Sequence, residues 1–262
     1  MNRIDQLFEE KKEDILSIYL TAGYPQLNDT PRLISLLQSA GVDMVEIGIP
    51  FSDPLADGPV IQQSSHVALK NGMNLDLLFD QLKEIRKSVQ MPLVMMGYLN
   101  PMLRMGMEKV LDRCHMAGID GLIIPDLPPA EFETSYREHF RSRDLYHTML
   151  ITPHTAEERI RYITGLSDGF LYMVADAATT GARDRIGEHQ VAYFQRIARM
   201  NLPLPALIGF GISSHETFIT ACRYARGGII GSAFIRALDG EGTLEEKVER
   251  FISSIRGTRG SA

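Results

Sequence analysis

One carboxylate interrupts an otherwise apolar run, Met44-Val45-Glu46-Ile47-Gly48-Ile49. If the run is a strand covered on both faces, burial drives the carboxyl pKa upward, by as much as ~3–5 units in the extreme. Such a group suits general acid or base catalysis near neutral pH. The plainer reading is a structural Glu paired with an Arg from a neighbouring strand. Asp57 lies in Ala56-Asp57-Gly58-Pro59, which taken alone is a common turn sequence. Asp126 follows the apolar run Gly121–Ile124 and suits either a loop-end hydrogen bond or a contact with a partner. Two later strands end in Gly209-Phe210-Gly211-Ile212-Ser213 and Gly231-Ser232-Ala233. Glycines there let backbone N–H groups approach an anion, and Ser232 adds a hydroxyl, so the pair reads as a phosphate site. Gly181 could join them; ordinary turn glycines are the plainer alternative.

Missing residue types narrow the chemistry. The seven lysines are Lys11, Lys12, Lys70, Lys83, Lys87, Lys109 and Lys247, and none ends a predicted strand. A Schiff-base aldolase needs such a lysine. The histidines are scattered and only His154 lies near a strand end, which argues against a zinc site. Cys114 and Cys222 stand in no metal or redox spacing and read as free thiols of a reducing cytosol, hence a cytoplasmic protein. Any carbon–carbon cleavage here would run on proton transfer, with the substrate itself accepting the electrons.

The elements that must position these groups alternate along the chain. Predicted strands are Ile15–Leu20, Met44–Ile49, Leu93–Tyr98, Gly121–Ile124, Thr148–Ile151, Phe170–Val174, Ala206–Ile208 and Gly228–Ile230. Amphipathic stretches lie between them at Thr30–Ala40, Leu75–Val89, Met107–Ala117, Ala130–Arg141, Ala156–Gly165, His189–Met200 and His215–Tyr224, and Leu244–Ile255 follows the last strand. Helix starts are predicted at Asp29-Thr30-Pro31, at Thr155 with Glu158, and at Ser214. Eight apolar strands each followed by helix imply an all-parallel sheet. The length of 262 residues is close to the ~250 typical of a (β/α)8 barrel. No Gly-x-Gly-x-x-Gly follows the first strand, which disfavours a dinucleotide-binding sheet. The prediction is one TIM barrel over residues 1–262. The long connections Pro50–Val60 and Ala175–Glu188 then fall at the catalytic face as substrate loops or lids.

Composition agrees with a soluble globular protein able to bury a sizeable core. Hydrophobic residues make up 44%, charged residues 23%, and the net charge is -6. That balance argues against nucleic-acid binding, and neither a signal peptide nor a membrane-length apolar run is visible.

The block Glu46-Ile47-Gly48-Ile49-Pro50-Phe51-Ser52-Asp53-Pro54-Leu55-Ala56-Asp57-Gly58-Pro59 closely resembles the signature of the tryptophan synthase alpha subunit family. Thr21-Ala22-Gly23-Tyr24-Pro25, Tyr98-Leu99-Asn100-Pro101, Asp126-Leu127-Pro128 and the two glycine motifs follow in the family's order. The resemblance covers nearly the whole chain. It implies retro-aldol cleavage of indole-3-glycerol phosphate to indole and glyceraldehyde 3-phosphate. Glu46 would be the acid–base and Asp57 would hold the indole N–H. Gly181, Gly211, Gly231 and Ser232 would take the phosphate. Tyr19, Met96, Leu127, Ile151, Tyr172 and Phe210 would line the indole pocket. The resemblance further implies no metal and no cofactor in this chain, and a beta-subunit partner carrying pyridoxal phosphate in an alpha2beta2 heterotetramer. Asp53, Asn100 and Asp126 would meet that partner, which would receive the indole.

One segment departs from the family. Where the pattern is serine-x-serine-glycine-valine-threonine-glycine, this chain has Ala175-Asp176-Ala177-Ala178-Thr179-Thr180-Gly181. Thr180 is retained as the lid residue that would reach Asp57. The intact carboxylates and phosphate loops point to an active lyase. The altered loop leaves a second reading, a weakly active or inactive subunit that serves as an allosteric activator of the beta subunit.

Overall fold

The structure, a computed structural model, describes residues 1–54, 57–175 and 186–257. Its strands are β1 (Ile15–Thr21), β2 (Met44–Gly48), β3 (Leu93–Met96), β4 (Gly121–Ile123), β5 (Tyr146–His147), β6 (Leu150–Ile151), β7 (Leu171–Val174), β8 (Ala206–Gly209) and β9 (Gly227–Ile230). They lie in the order β5-β4-β3-β2-β1-β9-β8-β7-β6, every pair parallel. The predicted fifth strand, Thr148–Ile151, holds only β6; the strand starts earlier, at Tyr146, and is two short pieces, β5 and β6. β5 pairs with β4 while β6 pairs with β7. Between them the Thr148 amide donates to the Leu122 carbonyl (3.1 Å) and the Tyr172 amide to the Met149 carbonyl (3.0 Å). This run therefore hands the sheet from one neighbour to the other and closes the barrel. Strands tilted and staggered around a barrel meet their two neighbours in offset registers, which is why the run is split.

Alternation along each strand sorts the side chains into two layers. Ile15, Met44, Val94, Ile123, Phe170, Tyr172, Leu207 and Ile229 fill the barrel interior. Leu16, Ile18, Leu20, Val45, Ile47, Leu93, Met95, Leu171 and Met173 face the surrounding helices. Both faces are dry, so the strands read as continuous apolar runs.

The helix Arg3–Glu10 closes the N-terminal end. Its Ile4 joins the interior cluster and the Phe8 ring lies 6.0 Å from that of Phe170. Asn2 caps this helix through the Ile4 amide and also donates to the carbonyls of Asp120 (2.9 Å) and Asp144 (3.1 Å). At the same end the buried Asp120 carboxylate takes Arg3, Arg86 and the Leu93 amide.

Several helices differ from expectation. Pro59–Lys70, Leu99–Met105 and Ser232–Leu238 form where the sequence reads as connection, and Arg3–Glu10 forms ahead of the first predicted strand, where no element is predicted. The stretch Leu75–Val89 is helical to Leu82 and then a short 3-10 turn over Ile85–Lys87. Phe132–Tyr136 is a π-helical segment inside the stretch predicted as one α-helix. Ser214 caps as predicted, accepting from the Thr217 amide. Thr155 does not cap: Ala156 holds that position, and the Thr155 hydroxyl accepts from the Thr152 amide instead. Likewise Asn28, not Asp29, precedes the helix Asp29–Ser39, and Asp29 accepts from the Gln26 amide.

Candidate active site

Residue parity on β2 turns Glu46 inward with Met44, while Val45 and Ile47 turn out. Glu46 is wholly buried. The Ser17 hydroxyl, from the inner face of β1, donates to its Oε1 at 3.2 Å. Among the described residues the second oxygen, Oε2, has no partner. Burial pushes the carboxyl pKa up to about 8, with the Ser17 bond pulling the other way. A carboxyl with that pKa is mostly protonated at pH 7 and can still lose its proton, which is what a reversible acid–base requires.

Asp57 sits in the loop after β2, one residue before the Gly58 that precedes the helix Pro59–Lys70. Its Oδ2 accepts the Tyr98 hydroxyl at 3.1 Å, and its backbone carbonyl accepts the Gln62 amide at 2.8 Å. Burial raises its pKa and the Tyr98 bond lowers it. Tyr19, the register partner of Glu46 on β1, is held far above its ordinary phenol range by burial and then by the negative charge of Asp57. Tyr172 on β7 is shifted the same way by burial, Glu46, Tyr19 and Asp57. These electrostatic couplings place both tyrosines and both carboxylates around one space at the carboxyl ends of the strands.

Two glycines admit the tyrosine tips. A Cβ on Gly48 would stand 2.0 Å from the Tyr19 hydroxyl, and one on Gly209 would stand 2.2 Å from that of Tyr172. Neither position tolerates a side chain without moving the tyrosine. Beyond β8 the backbone takes left-handed values at Phe210 (φ 67°) and Gly211 (φ 80°) in succession. The turn keeps the Phe210 ring edge-on to Tyr172 at 6.2 Å.

The structure brings Met96, Tyr172 and Phe210 into the interior cluster, and Tyr19 beside Glu46. Ile151 instead faces the surrounding helices, and Leu127, in the loop after β4, is buried in the cluster against which Tyr19 also packs. Strand parity explains Ile151, because Leu150 is the inward residue of β6. Gly231 abuts the Tyr19 Cβ, and Ser232 begins the helix Ser232–Leu238 directly after it. Gly211, Gly231 and Ser232 thus all follow β8 and β9 at the same end of the barrel. Thr180, Gly181 and most of the predicted lid Ala175–Glu188 lie outside the described residues.

Asp53, Asn100 and Asp126 are exposed at this same face. Asp126 forms the loop-end hydrogen bond, accepting from the Leu99 amide at 2.8 Å and tying the loop after β4 to that after β3. His154 is exposed, and no group of three or more His, Cys, Asp or Glu among the described residues could hold a metal ion. No described helix is long and apolar enough to cross a membrane. Sequence reasoning assigns no role to Ser17 or Tyr98. A hydroxyl at an inward position of an apolar strand is a legible signal for Ser17; the Tyr98 contact crosses between loops and leaves none.

Residues 5–259 match the family model described as tryptophan synthase alpha chain. The chain is 53% identical over 256 residues to the tryptophan synthase alpha chain of Parabacteroides distasonis, covering 98% of this chain and 100% of the relative. It is 54% identical over 257 residues to that of Phocaeicola vulgatus, at the same coverage. Among solved structures, tryptophan synthase subunit alpha from Legionella pneumophila superposes with a TM-score of 0.88 at 32% identity, covering 98% of this chain and 97% of that one. The aminoacrylate-bound tryptophan synthase of M. tuberculosis gives a TM-score of 0.84 at 26% identity, covering 97% and 98%. A barrel with a buried acid at its mouth and this likeness along its length lead to one assignment: the chain belongs to the tryptophan synthase alpha chain family, carbon–carbon lyases that need no cofactor of their own.

Proposed function

We propose that Glu46 and Asp57 carry the retro-aldol cleavage of indole-3-glycerol phosphate to indole and glyceraldehyde 3-phosphate. Glu46 delivers its proton to indole C3, and the ring becomes an indoleninium. The resulting carboxylate takes the proton of the side-chain hydroxyl next to the breaking bond. The electrons of the carbon–carbon bond return to the ring, indole and the aldehyde form, and Glu46 is protonated again. Asp57 accepts the indole N–H and stabilises the positive charge that develops there. Neither a lysine nor a metal is required in this sequence of proton transfers.

The observation that carries this reading is the state of Glu46: wholly buried, with one oxygen held and the other unpartnered among the described residues. Tyr19, Met96, Leu127, Tyr172 and Phe210 supply an apolar, aromatic wall for the indole, with Ile151 backing it from the outer face of β6. Gly211, Gly231 and Ser232, joined by Gly181, take the phosphate. Thr180 closes over the substrate toward Asp57. The exposed Asp53, Asn100 and Asp126 meet a beta subunit in an alpha2beta2 assembly, to which indole passes. The unpaired Cys114 and Cys222 fit a cytoplasmic setting. The test is single-turnover indole release by Glu46→Gln, which keeps the shape of the side chain and removes its proton. The rate should fall by ~10²–10⁴; parental release from a folded variant would refute the assignment.

A further inference from the structure

Ser17 is an anomaly of the barrel interior. It lies between Ile15 and Tyr19 on the inner face of β1, in register with Met44 on β2 and Ile229 on β9, and is wholly buried. A hydroxyl in apolar surroundings is costly unless it is hydrogen-bonded. Its bond is the donation to Glu46 Oε1 at 3.2 Å. The other oxygen of the same carboxyl, Oε2, is buried and without a partner among the described residues.

We propose that Ser17 is a positioning residue that divides the Glu46 carboxyl into a held oxygen, Oε1, and a working oxygen, Oε2, through which the proton passes to and from substrate. The proposal rests on the acid–base reading of Glu46 given above. A carboxyl anchored at neither oxygen is free to rotate about its terminal bond, which has a broad, roughly two-fold profile. Anchoring Oε1 fixes the plane and leaves one atom for proton transfer. A carboxyl bonded at both oxygens would be a structural group with nothing to hand over. The bond acts on energetics as well as geometry, because a donor to a carboxylate favours the ionised form and so opposes burial. The titratable groups that feel the charge of Glu46 are Tyr19 on β1 and Tyr172 on β7; both also feel Asp57, which is bonded to Tyr98. β3 and β9 present the uncharged Val94, Met96 and Ile229 to the interior. Ser17 therefore gives Glu46 its one direct hydrogen bond among the described residues, in an otherwise hydrocarbon and phenolic setting.

The test follows the Glu46 carboxyl itself, by 13C NMR of the full chain labelled at glutamate side chains, with Glu46 assigned by difference against Glu46→Gln. Ser17→Ala should move the midpoint upward by roughly half a pH unit to one, because a bond worth more to the charged than to the neutral form is lost. Ser17→Thr keeps a hydroxyl and should return it. In single-turnover indole release, the alkaline limb should shift in the same direction. The rate constant should fall roughly 3–10-fold, with substrate binding changed far less. If the Ala variant folds poorly, Ser17→Val, which matches the apolar lining, serves the same comparison. A folded variant without the hydroxyl whose Glu46 midpoint and rate are those of the parent overturns the proposal. So do equal rate losses in the Ala and Thr variants with no movement of the midpoint, which is a packing effect. If instead Glu46→Gln retains cleavage, the acid–base reading fails, while the titration still reports whether Ser17 and Glu46 are coupled.

Discussion

A buried acid that is protonated at neutral pH leaves a mark on stability that can be measured without substrate. Glu46 is lifted from 4.5 to about 8 in the folded barrel. Between those values the folded chain holds a proton that the unfolded chain has released. Stability from this group is therefore complete below about pH 4.5, falls as pH rises, and is gone above about 8. A tenfold change in proton affinity is worth about 1.4 kcal/mol, so the whole window amounts to up to about 4–5 kcal/mol. Glutamine cannot titrate. Glu46→Gln should match its parent near pH 5 and exceed it progressively toward pH 9, gaining stability where it has lost chemistry. Urea unfolding of both proteins at half-unit steps across this range gives the difference curve. Asp57, Asp168 and His147 are also shifted by burial, but they are common to both proteins and cancel in the difference. Parallel stability curves would refute a raised Glu46 and, with it, the proton economy assigned to the site.

Tyr98→Phe removes the hydroxyl that Asp57 accepts at 3.1 Å; kcat should fall about 3–30-fold with the fold intact, checked by steady-state indole release. Gly48→Ala places a methyl group 2.0 Å from the Tyr19 hydroxyl. Displacing that ring should cost about 1–3 kcal/mol in urea unfolding and raise KM. Asp120→Ala strands Arg86 and Arg3 at the opposite end of the barrel. It should cost about 3–5 kcal/mol while leaving the rate of the folded protein unchanged, since that face serves stability and not catalysis.

Much of the architecture is legible in the sequence because both faces of each strand are dry, and seven of the eight apolar runs fall on strands. The fifth run, Thr148–Ile151, catches only β6, because barrel closure, a property of the whole ring, splits this strand and leaves β5 at Tyr146–His147 ahead of the run. The short helix Leu99–Met105 buries only Met102 and so shows no period, while Ser232–Leu238 turns Phe234, Ile235 and Leu238 inward over too few residues to stand out in the sequence. Arg3–Glu10 does carry a period, Ile4, Leu7 and Phe8 on one face, beneath a charged composition that hides it. Within the site, Glu46 is legible as a charge inside an apolar run. Asp57 is not, since its sequence is that of any turn, and its standing comes from resemblance. Ile151 shows the converse: a residue placed in the pocket by resemblance is turned outward by strand parity.

The plug made by Ile4 and Phe8 turns the barrel into a well with a hydrocarbon floor. Water that reaches Glu46 comes down from the rim, so whatever seats itself there also dries the acid beneath it. On the function proposed above, indole formed in that well would leave toward the rim bearing Asp53, Asn100 and Asp126, where the beta subunit is proposed to dock. The direction of that traffic would then be set by masonry at the far end of the molecule, the Ile4 and Phe8 floor, laid by residues outside the proposed site.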